Sequence, residues 1–505
     1  MSNNKRILKN SLYLYLRMII TTVVTLFTIR ILLMNIGVVD YGIFSLVGSV
    51  IVMISFFNNA LSSSTQRFLS LAMSNDEKFD ESSVFNASLR IHIAFSIFIV
   101  LVGETLGVYI LDTYLSIPAE RQEATSFLFQ CVIFIFSLNI ISIPYQALII
   151  AEERMEGIAI IQGMESVGKL IIAVIIGYVY FDKLKAYGVL LLLLTFIVFM
   201  SYILFFKKSE LHIKITTNKI NKSIYKELLG FVGWTVFGTI ASLSKKQGSV
   251  ILLNIFFGPI VLAAFAIAHQ VSNQIGAIAS TVLKAINPQI VKSYGNRDYE
   301  GMLYYILVSS RLSFYLFMFT AIPLFFELDF ILNLWLDEVP LYTIEFVKLM
   351  LVFVLIEILI GSLVFGIQAT GKIKKYQLVA SLVFVFNSLI MYFLLKLGYA
   401  ANSVLYCNIL FTFLVGFVRL YYLNKIVGLS IGNWLFEIFT RCFLPFSIAS
   451  LIISLFVLLI DQSFIRIFST SLLNVVISVI SIYFLGLNAN EKSFVDTKFK
   501  RIFNG

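Results

Sequence analysis

The chain has 505 residues, of which 59% are hydrophobic and only 13% charged. A soluble domain carries about 25% charged residues, so the composition excludes an ordinary soluble enzyme and defines a polytopic membrane protein. The formal net charge of +10 is what basic loops held on one membrane face produce, and it implies no nucleic-acid partner.

A helix needs about 20 mostly apolar residues to cross a bilayer, and fourteen segments qualify: 11–34, 41–61, 85–111, 125–150, 157–181, 186–206, 225–257, 260–285, 303–328, 344–368, 375–396, 401–424, 435–460 and 464–486. The first is preceded by Lys5, Arg6 and Lys9 and followed by no small-residue cleavage site, so it reads as an uncleaved helix. The long 225–257 span is expected to bend or to run past the hydrocarbon. The predicted fold is all-α, with about 14 transmembrane helices. With the N-terminus inside, 23 Lys and Arg fall in cytoplasmic segments. Five fall outside: Arg121, Lys183, Lys185, Lys396 and Arg466. This bias places both termini in the cytoplasm.

The chain also repeats itself at an offset of 221 residues. Gly37 falls on Gly258, Phe44 on Phe265, Asn75 on Asn296, Arg90 on Arg311, and Ile110–Leu115 on Ile331–Leu336. Such a parallel repeat predicts two six-helix lobes with a transport path between them. The expected organisation is a lobe over 1–210, a second over 211–430 that opens with a basic linker, and two further helices with a cytoplasmic tail over 431–505.

Charges inside spans are costly and mark cavities, pairs or snorkelling positions. Arg17 and Arg30 lie in the first span and, at 100° per residue, on different faces of it. Lys245 and Lys246 sit near the middle of the seventh span, too deep for a lysine stem to reach the headgroups alone. Arg90, Arg311, Lys348, Arg419 and Arg441 lie near helix ends and can snorkel. Arg90 and Arg311, paired by the repeat, suggest a shared structural role at the cytoplasmic rim. Glu104, Glu165 and Glu357 are candidate proton or ion sites, although Glu165 and Lys169 are spaced as a neutralising pair. His269 and Asn273 share a helix face and suit either an aqueous path or interhelical hydrogen bonding.

Catalytic motifs are missing. Gly366 to Lys372 has phosphate-loop spacing, but Ile373 stands where a magnesium-binding Ser or Thr belongs. Cys131, Cys407 and Cys442 have no metal-ligand or disulfide spacing. No metal site and no catalytic residue is expected, and the chain reads as a transporter rather than an enzyme.

Fourteen spans grouped as six, six and two resemble the MOP exporter superfamily, and within it the Wzx-type (PST-type) polysaccharide flippases. The local matches are Leu33–Phe44 between the first two helices, Ala263–Ala268 followed by Pro288 in the second half, and Ile331–Leu336 after the ninth helix. The resemblance implies movement of a polyprenyl-diphosphate-linked oligosaccharide, an O-antigen, capsule or exopolysaccharide unit, from the cytoplasmic to the periplasmic leaflet of a bacterial inner membrane by alternating access. It also implies no bound cofactor, coupling to a proton or sodium gradient, and polymerase and chain-length proteins as partners alongside membrane lipids. A cationic central cavity, carried onto Arg17, Arg30, Lys245 and Lys246, suits a diphosphate. The competing readings are a MATE-type drug or metabolite antiporter, a peptidoglycan lipid flippase and, further off, a polysaccharide polymerase.

Overall fold

The structure is a computed structural model that describes residues 3–54, parts of 61–72, 80–152, 154–207, 213, 215, 222–489 and parts of 491–497; side chains are not described at 3–20, 50–54, 112, 231–246, 284, 285 and 288. The described residues are overwhelmingly helical. Helix α1 spans Asn3–Ile54 and is followed by α2 (Glu81–Val102), which passes through a π-helical turn at Gly103–Gly107 into α3 (Val108–Tyr114). Then come α4 (Gln122–Ala151), α5 (Met155–Ile175), α6 (Lys183–Lys207), α7 (Lys222–Gly295), α8 (Tyr299–Trp335), α9 (Thr343–Ala369), α10 (Ile373–Lys396) and α11 (Ser403–Val427). Helix α12 (Ile431–Ile438) continues through a π-helical turn into α13 (Leu444–Leu459), and α14 (Phe464–Ser481) ends in another π-helical turn at Ile482–Gly486.

Twelve helical stretches among the described residues are long and apolar enough to cross a membrane. Two of them, in α1 and α7, are broken by a residue with non-helical backbone angles, Gly37 (φ 81°, ψ 169°) and Gly258 (φ 77°, ψ −172°). Counted on either side of these breaks, the helices match the fourteen predicted spans. The breaks stand 221 positions apart, so the repeat seen in the sequence recurs in the backbone.

The chain divides into two compact units, Met1–Ala263 and Ala264–Gly505, with the boundary inside α7 just after its break. In the first unit α1 packs on α5, α4 on α2 and α6, and α5 on α6. Its core includes Ile43, Val47, Leu128, Phe129 and Ile133. Phe85, Tyr145 and Phe206 form an aromatic cluster with ring centroids 4.9–5.4 Å apart. In the second unit α8 packs on α9, α13 and α14, and α11 packs on α9 and α10.

The two final helices are bolted to α8 by polar contacts. Arg466, Thr470, Asn474, Ser478 and Ser481 are all buried along one face of α14. Arg466 Nη2 lies 2.7 Å from Glu327 Oε2, both side chains almost fully enclosed. Thr470 donates to the same carboxylate at 3.1 Å, and Asn474 Nδ2 donates to the Phe319 carbonyl at 3.1 Å. Arg466 is therefore a buried structural residue rather than a loop charge. At the other end of α8, Arg311 is only 2% exposed and pairs with Glu491. Its expected snorkelling is replaced by burial under the C-terminal segment. Tyr315 Oη lies between the carbonyls of Arg441 (2.8 Å) and Gly486 (3.0 Å), so it ties both neighbouring π-helical turns to α8.

The backbone angles at Gly37 and Gly258 belong to a region that is essentially glycine-only. Gly37→Ala and Gly258→Ala should each lower stability by about 1–3 kcal/mol, read as a lower unfolding midpoint in detergent. Gly48→Ala, at a helical position with nothing within 4 Å of the new methyl, should be neutral or mildly stabilising.

Candidate functional site

Breaking a helix leaves carbonyls and amides without their intrahelical partners. At Gly37 the neighbouring chain supplies partners. Lys183 Nζ donates to the Asn35 carbonyl at 2.9 Å, placing a cation at the C-terminal end of the first segment, where the helix dipole favours it. Asn35 Nδ2 donates to the Ala173 carbonyl at 2.8 Å and ties the break to α5. Three residues beyond the break, Asp40 receives a bidentate contact from Arg121 (2.8 and 2.6 Å), and Arg121 also reaches Asp182 at 2.8 Å. Burial opposes ionisation of Asp182, but the Lys185 amide, the Arg121 guanidinium and the Leu184 amide together hold its carboxyl below the ordinary range.

The first segment of α7 is pinned within the same unit at both of its ends. At one end Tyr225 Oη meets Arg90 Nη1 at 3.5 Å, and Ser64 Oγ donates to the Leu228 carbonyl at 3.1 Å. At the other, the fully buried Asn254 grips the backbone of Ser116. It accepts from the Ser116 amide at 3.0 Å and donates to the Ser116 carbonyl at 3.3 Å. Beside this clasp Gly42 approaches Pro259 so closely that a methyl group there would lie 2.1 Å from the Pro259 carbonyl oxygen. The breaks of α1 and α7 therefore lie side by side.

Of the four predicted cavity cations, Arg30 can be followed in full. It is half-buried and lies on one stripe of α1 with the exposed Val23, Phe27 and Met34, opposite the buried Thr28, Ile29, Leu32 and Leu33. It makes no ion pair or side-chain hydrogen bond among the described residues. The side chains of Arg17, Lys245 and Lys246 lie outside the described residues, although their backbone is helical. The break at Gly37 lies beyond Arg30, not between it and Arg17. The positions of Arg17 and Arg30 thus remain roughly 140° apart around the helix, and no bend brings them to one face. Measured from the adjacent breaks, Arg30 is about 10 Å down α1, and Lys245 and Lys246 are about 18–20 Å down α7.

The other candidates fall in different places. Glu165 and Lys169 form the expected pair at 2.6 Å. Glu104 lies exposed in the π-helical turn and accepts from Gln130 Nε2 at 2.9 Å, while Glu357 is exposed on α9. Asn273 donates to His269 Nδ1 at 2.7 Å, so these two share a face as predicted. Arg90 is half-buried beside Tyr225, a different setting from that of its repeat partner Arg311. Sequence reasoning missed Asn254 and Glu327. Both are polar side chains within three residues of the end of a predicted span, a position where such residues carry little signal. It also missed the chain from Thr65 through Ser88 (2.6 Å) to the fully buried His92 (3.3 Å), whose two serine and threonine members carry little signal in an apolar span.

The helical fold is similar to that of solved transporters of the MOP superfamily. Among solved structures, lipid II flippase MurJ in an inward closed conformation is similar at a TM-score of 0.72, with 14% identity over 99% of this chain and 100% of that one. An inward-facing multidrug resistance MATE family transporter of the MOP superfamily is similar at 0.65, with 13% identity over 80% of this chain and 96% of that one. A MOP superfamily transporter from Pyrococcus furiosus Vc1, described as having a binding pocket of reverse polarity that suggests a different function, is similar at 0.60, with 14% identity over 83% and 95%. No protein-family profile and no curated protein sequence matches the chain.

Two predictions follow from the outer cluster and the clasp. Because the carboxyl of Asp182 is held below its unfolded value of about 3.9, its contribution to stability is complete above that pH and disappears as pH falls through its own lower value. The gap in unfolding midpoint between wild type and Asp182→Asn should be constant near neutrality and close below about pH 4. Asn254→Ala removes both bonds to Ser116. Amide exchange at Ser116, followed by mass spectrometry, should accelerate by about tenfold, the equivalent of roughly 1.4 kcal/mol of lost protection.

Proposed function

We propose that this protein is a flippase that carries a polyprenyl-diphosphate-linked oligosaccharide across a bacterial inner membrane. The observation that carries this reading is Arg30, a guanidinium with no ion pair or side-chain hydrogen bond among the described residues, on the open stripe of a membrane-spanning helix. A membrane cation without a carboxylate must face water or an anionic ligand, and a guanidinium matches a phosphate with two parallel hydrogen bonds. Lys245 and Lys246, on the helix whose break adjoins that of α1, would supply further positive charge. A cationic site favours an anionic lipid over the cationic drugs for which an exporter would need carboxylates. The likeness to MurJ extends along 99% of the chain, against 80% for the MATE structure, which supports a lipid-carrying member of this fold. A peptidoglycan lipid shares the same diphosphate chemistry and stays as the second reading.

In this reading the clasp of Asn254 on Ser116, with Gly42 against Pro259, is the closure that opens on one side of the membrane during alternating access. Glu104, Glu357 and the Glu165–Lys169 pair are the acidic groups through which a proton or sodium gradient would act.

The test is translocation in proteoliposomes of a fluorescent polyprenyl-diphosphate glycan. Arg30→Ala and the double variant Lys245→Ala/Lys246→Ala should each slow flipping tenfold or more, a loss of about 1.4 kcal/mol or more, while Arg30→Lys retains part of the rate. Normal flipping by both variants overturns the cationic site. Faster transport of a pentapeptide-bearing peptidoglycan precursor than of the oligosaccharide would favour the second reading.

A further inference from the structure

A second intramembrane cation is left over. Lys348 lies five residues inside the N-terminal end of α9, about 7 Å along the helix. Its Nζ is 5.4 Å from the centroid of the Phe325 ring on α8. Among the described residues it makes no ion pair. The nearby Glu345 is engaged by Asn402. Lys348 stands near a helix end, from which a lysine reaches the headgroup region, and no carboxylate among the described residues meets it there.

The Phe325 ring that Lys348 faces also lines an apolar cavity of about 260 Å³ between α8, α9 and α13. Phe325 and Val352 flank the opening and are 37% and 41% exposed. Ala321, Leu355, Phe317 and Phe446 line the cavity as well. From Lys348 to Leu355 the groove runs about 10 Å along α9. Positions 348, 352 and 355 follow helical spacing, so cation and groove share one face.

We infer that this groove binds one anionic phospholipid, its headgroup phosphate at Lys348 and the upper part of an acyl chain along Phe325, Val352 and Leu355. The charge pattern selects the occupant. An apolar slot alone would accept any acyl chain, but an unpaired ammonium at one end favours a lipid whose headgroup carries net negative charge. The Phe325 ring helps to hold the ammonium over the opening by cation–π attraction. The site lies wholly within the second unit and does not involve Arg30, Lys245 or Lys246, so it stands or falls separately from the proposed substrate.

The test is native mass spectrometry of the delipidated full-length protein in detergent, titrated with phosphatidylglycerol or phosphatidylcholine of the same acyl composition. Wild type should retain one tightly held phosphatidylglycerol and prefer it to phosphatidylcholine. Lys348→Gln should lower that preference about fivefold, the factor equivalent to the ~1 kcal/mol attraction of one lysine for an anionic lipid surface. Lys348→Arg should preserve it. Val352→Trp, which fills the mouth from its exposed rim, should reduce the binding of both lipids, with a circular dichroism spectrum and elution volume matching wild type. Equal retention of the two lipids by wild type, unchanged preference in Lys348→Gln, or undiminished binding in a folded Val352→Trp would each overturn the assignment.

Discussion

A peptide group that loses its intrahelical partner must find another, and this requirement governs the architecture around the two broken helices. Each break joins two spans at a single non-helical glycine, and the carbonyls before it and the amides after it need new partners. The two repeats answer differently. At Gly37 the chain brings the Lys183 ammonium to the Asn35 carbonyl and sets Asp40 into an arginine cluster. At Gly258 the next residue is Pro259, whose nitrogen has no proton to satisfy and whose ring suits the first position of a new helix. The same backbone angle is thus retained by different side-chain chemistry.

The two final helices illustrate a second consequence of lipid as solvent. Apolar side chains gain little by leaving lipid for another helix, so helices associate through packing and polar contacts. Helix α14 carries a polar residue at nearly every turn of one face, and α8 answers with Glu327 and with carbonyls. The cost of this docking is visible in the repeat. Arg311 is drawn into the C-terminal segment, whereas Arg90, its partner by sequence, bonds to the first segment of α7. Equivalent residues have therefore acquired separate duties, and the symmetry of the sequence overstates the symmetry of the contacts.

The spans, the offset of the repeat and the positions of both breaks were legible because they depend on hydrophobic length and on glycine, which are local properties. The fate of individual charges was not. Arg466 read as a loop residue because it stands at the start of a helix, yet Glu327, 139 positions away, encloses it. Arg311 sits near a helix end and could have reached the headgroups, but the chain beyond α14 covers it. Asn254 and Ser116 pair across 138 positions. These pairings depend on which faces meet, and a periodic pattern in one helix does not specify its neighbour.

Partnership separates the intramembrane cations more sharply than depth does. Arg311, Arg441 and Lys169 meet carboxylates, and Arg419 is held by Tyr376 and the Ile360 carbonyl. Their charges are compensated by the fold itself, so they require no ligand. Arg30 and Lys348 differ in that no ion pair among the described residues compensates them. Charges of this kind need access to water, to headgroups or to an anionic ligand. The two sites also differ from each other. Arg30 stands on a helix that breaks seven residues later, where the chain can change shape, and Lys348 borders a groove in a helix with no break. A mobile wall suits a ligand that must pass through, and a rigid one suits a lipid that stays.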